Sequence, residues 1–110
     1  MVLFTNEIMI IPSSFKMLGQ TITVKYDNKY CNENECFGRF ISWDNTIILA
    51  TRYKTEKGWR KYKKSIVEAT FYHELGHCIL YHGGNPEWLN EPLMEVIGGF
   101  LHQYETTKVI

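Results

Sequence analysis

The sequence predicts an α+β fold, with a small antiparallel or mixed sheet from the N-terminal half and two helices from the C-terminal half. Three observations predict it. Runs rich in β-branched residues, bounded by polar turn formers, crowd the chain as far as Thr51. From about Trp59 to His82 there is no proline and a single glycine, and the apolar residues recur at helical spacing. Gly83-Gly84-Asn85-Pro86 then interrupts the pattern before a second helical stretch begins.

The first strand is Thr21-Ile22-Thr23-Val24-Lys25-Tyr26, β-branched and alternating, and Asp27-Asn28-Lys29 reads as the turn that ends it. Pro12 to Lys16, ahead of it, suits either a loop or a short helical turn. A polar loop around Cys31 to Cys36 leads to a second strand, Phe37 to Trp43. Asp44-Asn45 makes a tight hairpin, because both residue types tolerate positive φ, and Thr46 to Thr51 returns as a third strand. In the first helix, Val67, Phe71, Leu75, Cys78 and Ile79 fall on an arc of about 120° to 240° measured from His73. The second helix opens at Asn90, a good N-cap, tolerates Pro92 in its first turn and runs to about Glu105.

The chain has 110 residues, which suits one domain spanning 1–110. Twelve Lys and Arg balance twelve Asp and Glu, and 45% of the residues are hydrophobic, which excludes a disordered chain. The absence of a basic surplus argues against a dedicated nucleic-acid binder. The longest apolar runs, Ile8 to Ile11 and Ile47 to Ala50, are far short of the roughly twenty residues that span a bilayer. Residues 1–15 lack the basic start of a signal peptide, and three cysteines do not suit a disulfide framework. A cytoplasmic protein without membrane contact is the expectation.

The chemistry lies in the first helix. His73-Glu74-Leu75-Gly76-His77 is an H-E-x-x-H sequence. On a helix, His73 and His77 point in nearly the same direction, about 40° apart and opposite the apolar arc, so both imidazoles can bind one zinc ion. Glu74 is rotated by about 100°, out of the ligand plane but within reach of a metal-bound water. A catalytic zinc needs a third protein ligand and an open fourth position. Glu91 and Glu95, 14 and 18 residues beyond His77, share one face of the second helix, and either can supply the ligand. Gly98 and Gly99 on that helix remove side chains where the two helices must approach closely.

Thr70 to Leu80 together with Asn90-Glu91 resembles the gluzincin metallopeptidases, whose second motif reads N-E-x-x-x-D. Asn90-Glu91-Pro92-Leu93-Met94-Glu95 follows that pattern with Glu95 in place of Asp. Size and layout resemble small phage-encoded and ImmA/IrrE-like metallopeptidases more closely. The resemblance implies a minimal zincin-like fold and a zinc metallopeptidase acting on a peptide or protein. In it, His73, His77 and Glu91 bind one zinc ion, and Glu74 is the catalytic base that deprotonates the metal-bound water. Glu95 then orients His73. The shorter gap from His77 to Glu91 than in thermolysin keeps Glu95 open as the alternative ligand, with Gly98 three residues beyond it as in the ImmA/IrrE-like proteins.

Tyr81, His82, His102 and Tyr104 are conceivable donors to an oxyanion, and the residues alone do not choose among them. A peptide substrate can add as a strand along Thr46 to Thr51. Cys78 lies on the apolar arc and reads as core, whereas Cys31 and Cys36 read as free thiols rather than half of a second metal site. Lys57 to Lys64 interleaves basic and aromatic residues as a nucleic-acid contact does, yet it also suits the solvated start of the helix. The other readings are a zinc-bearing interaction module without hydrolysis and a nucleic-acid-contacting module using Lys57 to Lys64. Retention of Glu74 favours the peptidase, because a structural site needs no base.

Overall fold

The computed structural model describes residues 10–110. The reading of the N-terminus as no signal peptide falls mostly on residues 1–9, outside the described residues. Over the described residues the fold is α+β, a small mixed sheet with three helices. Its elements are β1 (Ser14–Met17), β2 (Gln20–Tyr26), α1 (Asn28–Glu33), β3 (Gly38–Ile41), β4 (Thr46–Leu49), β5 (Arg52–Thr55), β6 (Gly58–Lys61), α2 (Lys64–His82) and α3 (Glu91–Thr107). Among the described residues, no helix is long and apolar enough to cross a membrane.

The four-stranded sheet has the order β1-β2-β4-β3, with β2 and β4 parallel and the outer pairs antiparallel. Alternation in β2 turns Ile22 and Val24 into the core and leaves Thr21, Thr23 and Lys25 outside, as in a sheet covered on one face. Ile47 and Leu49 of central β4 are fully buried, and with Phe40 of β3 they pack against Phe71, Tyr72 and Cys78 of α2. A buried Leu, Ile or Phe side chain contributes roughly 1.5–3 kcal/mol, so this face holds the sheet to the helix. Beyond α2 lies α3, whose Met94 is fully buried.

Several local expectations change. Asp27-Asn28 does not end β2 in a plain turn: Asp27 caps α1, accepting the Tyr30 N–H at 2.9 Å. Asn28 Oδ1 accepts from the backbone of Thr51 and Arg52, tying α1 to the start of β5. Asp and Asn favour turns and N-caps for the same reason, their short side-chain acceptors, and six helical residues are too few to show a period. Pro12 to Lys16 enters β1. The strand from Phe37 to Trp43 stops at Ile41, and Ser42–Asp44 is a 3-10 turn that hands over to Asn45 at φ 48°.

The largest correction concerns the start of the helix that carries His73 and His77. Gly58 to Lys61 is not helical but forms β6, paired with β5 across a two-residue turn, Glu56-Lys57. The helix begins only at Lys64, and Lys63 at its N-cap makes no side-chain capping bond. A helix without a capping side chain carries no sequence mark of its start. Ile79, placed on the core arc, is exposed, while Tyr72, outside that arc, is buried where α3 covers its flank.

Candidate metal centre

The two histidines project from the middle of α2 toward the first turn of α3. Pro86–Leu89 forms a 3-10 turn, and Asn90 Oδ1 then accepts the Leu93 N–H at 3.0 Å, capping α3 as expected. That cap fixes Glu91 as the first helical residue and directs it at the histidines. His73 Nε2 and His77 Nε2 are 3.3 Å apart. One carboxylate bridges them, with Glu91 Oε1 2.7 Å from His73 Nε2 and Glu91 Oε2 3.3 Å from His77 Nε2. His73, His77 and Glu91 form a group that could hold a metal ion, with one ligand atom from each lying within 4.8 Å of the others.

The donor set fits a metal in two further respects. Tetrahedral bonds of about 2.0–2.1 Å set ligand atoms roughly 3.3 Å apart, the spacing of the His73–His77 and His77–Glu91 pairs. Each imidazole also has its other nitrogen engaged. His73 Nδ1 is 2.6 Å from Glu95 Oε2, and His77 Nδ1 donates to the backbone carbonyl of Trp88. With Nδ1–H donated, Nε2 presents its lone pair toward the centre. Glu91 therefore stands with the histidines, and Glu95 sits behind His73. Glu95→Ala should weaken metal affinity by about 10–100-fold, read by competition with a chelating dye. Unchanged affinity would remove this role for Glu95.

Helix proximity depends on Gly98. A Cβ there would lie 2.8 Å from His73 Cα and N, so the notch expected in α3 is real at this position. At Gly99 a Cβ would meet nothing within 4 Å among the described residues, and the second glycine takes no part in the approach of α2 and α3.

Glu74 is only 7% exposed and lies between α2 and the sheet edge. Its Oε1 accepts the Phe40 N–H of β3 at 2.8 Å. Burial pushes its carboxyl above the ordinary value, against the lowering pull of His77 and His73. For His73 burial works against the charged ring, but hydrogen bonds to Glu91 and Glu95, with the Glu74 charge, outweigh it and raise the pKa. A cavity of about 650 Å³ joins these groups, lined by His73, Glu74, His77 and Glu91 on one side and Phe37, Gly38 and Phe40 on the other.

The sequence could not point to the Phe40 N–H or the Trp88 carbonyl, since any residue type supplies those backbone groups. The oxyanion candidates do not converge on the cavity: none of Tyr81, His82, His102 and Tyr104 lines it. His82 contacts Asn45 at 3.1 Å, and His102 stacks on Tyr72 and contacts buried Glu68 at 3.2 Å. Cys78 is core, and burial pushes its thiol up to about 11. Cys31 and Cys36 are free thiols, and burial together with the neighbouring Cys36 pushes Cys31 up to about 12. Among the described residues, no further ligand joins them in a metal-holding group. No family model, curated protein or solved structure matches the chain.

Proposed function

We propose that the protein is a zinc-dependent metallopeptidase, with zinc held by His73, His77 and Glu91. The observation that carries this reading is the pairing of a two-imidazole, one-carboxylate donor set with a separate buried carboxylate, Glu74, on the same cavity. Two nitrogens and one carboxylate oxygen suit zinc better than magnesium or calcium, which prefer all-oxygen sites. When bound, zinc supplies Lewis acidity for a scissile carbonyl and brings the pKa of water toward ~7.

The chain's own residues then divide the work. Glu74 receives a proton from the attacking water and returns it to the leaving amine. A carboxyl with a raised pKa suits both halves of that transfer, and the Phe40 N–H holds its other oxygen in place. Substrate docking falls to β3, because Thr46–Leu49 lies inside the sheet between β2 and β3 and has no free edge. Strand alternation turns the carbonyls of Gly38 and Phe40 outward, toward the cavity, where an extended peptide can pair with them.

Metal removal tests the reading. The isolated protein should contain one zinc per chain and cleave a member of a peptide library, and chelation should abolish the cleavage. At free zinc 100 times the Kd, the metal should add about 2.7 kcal/mol of stability, visible as a higher Tm. A folded sample that binds no zinc would overturn the proposal. Zinc without hydrolysis of any peptide would favour the non-catalytic interaction module.

A further inference from the structure

Charge in this neutral chain is segregated. Residues 52–64 hold seven of the twelve Lys and Arg and a single acid, Glu56, leaving five cations and eleven acids to the rest. The β5–β6 hairpin gathers most of this charge as a two-stranded sheet of its own. Its register places Arg52 opposite Lys61 and Lys54 opposite Trp59, so these four side chains share one face. The other face packs: Tyr53 and Tyr62 meet at 4.8 Å, and Tyr62 meets Phe37 at 5.2 Å.

The cationic face differs from ordinary solvated charge in two ways. Arg52, Lys54 and Lys61 are exposed, and among the described residues none has an acidic partner within 4.0 Å. In their midst Trp59 is 42% exposed and, among the described residues, stacks on no other ring. A lone indole ringed by cations matches a polymer that alternates phosphates with flat apolar rings. We propose that this face of the hairpin binds single-stranded nucleic acid, with Trp59 stacking on a base and Arg52, Lys54 and Lys61 engaging phosphates. A duplex buries its base faces and leaves Trp59 idle, so the single strand is the better match. The inference does not depend on zinc or on hydrolysis.

The test is fluorescence anisotropy of labelled dT12 with the intact protein. Three phosphate contacts predict a salt slope near −2, hence binding about 15–20-fold weaker at 200 mM than at 50 mM salt. Trp59→Ala should weaken binding about tenfold, a typical loss for one stacked base. Lys54→Gln combined with Lys61→Gln should flatten the salt slope to near −0.7, the value for one remaining contact. Both variants change exposed side chains, and an unchanged circular dichroism spectrum verifies their fold. No binding of dT12 would overturn the proposal, as would unaltered binding by Trp59→Ala. It would equally fall if a 12-base-pair duplex, poly-glutamate or vesicles containing phosphatidylserine bound as tightly as dT12.

Discussion

Glu74→Gln is expected to lower peptide hydrolysis by about 10²–10⁴-fold while zinc content stays at that of the unmodified protein. The amide keeps the shape of the side chain, and its oxygen can still accept the Phe40 N–H that Glu74 Oε1 accepts at 2.8 Å. It cannot accept a proton, so only the transfer step is lost. Stability should move the other way. Burial raises the Glu74 carboxyl above its unfolded value, so ionisation at neutral pH opposes folding, and a neutral amide relieves that opposition. With metal removed from both, the Gln variant should therefore melt at or above the Tm of the unmodified protein. Metal analysis, a hydrolysis assay and a thermal scan on both forms decide the matter. Full activity in the variant would remove Glu74 from the mechanism, and loss of zinc would place it in the metal set instead.

Gly98→Ala is expected to cost about 1–3 kcal/mol of stability and to weaken zinc binding by roughly tenfold. The added Cβ would lie 2.8 Å from the His73 backbone and 3.0 Å from Tyr72 C. Backbone atoms inside a helix cannot swing aside, so α3 must lift away from α2. Glu91 and Glu95 ride on α3, and the lift draws both carboxylates from His73. Gly99→Ala is the control. Among the described residues nothing lies within 4 Å of its new Cβ, and alanine improves helix propensity by up to about 1 kcal/mol. Urea titration of the metal-free forms and a zinc competition assay separate the two effects. Equal behaviour of Gly98→Ala and Gly99→Ala would show that the helices do not need the notch.

Much of the site was legible in the sequence because it obeys local rules. His73 and His77 lie on one face through helical periodicity, and Asn90 caps α3 through its side chain, as the residue types require. The N-terminal half was legible as strands where alternation is strong, as in β2, and illegible where elements are short. The segment from Asp27 to Cys36 looked like a loop because α1 holds only six residues, and its capping Asp27 is also a turn residue. Trp59 to Lys61 looked helical because the stretch lacks proline, whereas pairing with β5 made it a strand. Tertiary pairing overrides weak local preference.

By itself the sequence determined the α+β class, the position of the H-E-x-x-H helix and the short list of candidate carboxylates, since each rests on periodicity or spacing along one element. Only the tertiary structure set Glu91 against both His73 and His77 and Glu95 against His73 alone, because both lie on one face of α3 and the crossing over Gly98 sets how that face meets the histidines. It also decided which strands stand at the sheet edges among the described residues. Pairing of β2 with β4 closes Thr46–Leu49 inside the sheet and leaves β3 at the cavity. Overall charge balance in the composition concealed the cationic hairpin, because net charge sums over the chain and a partner meets only the face that folding assembles.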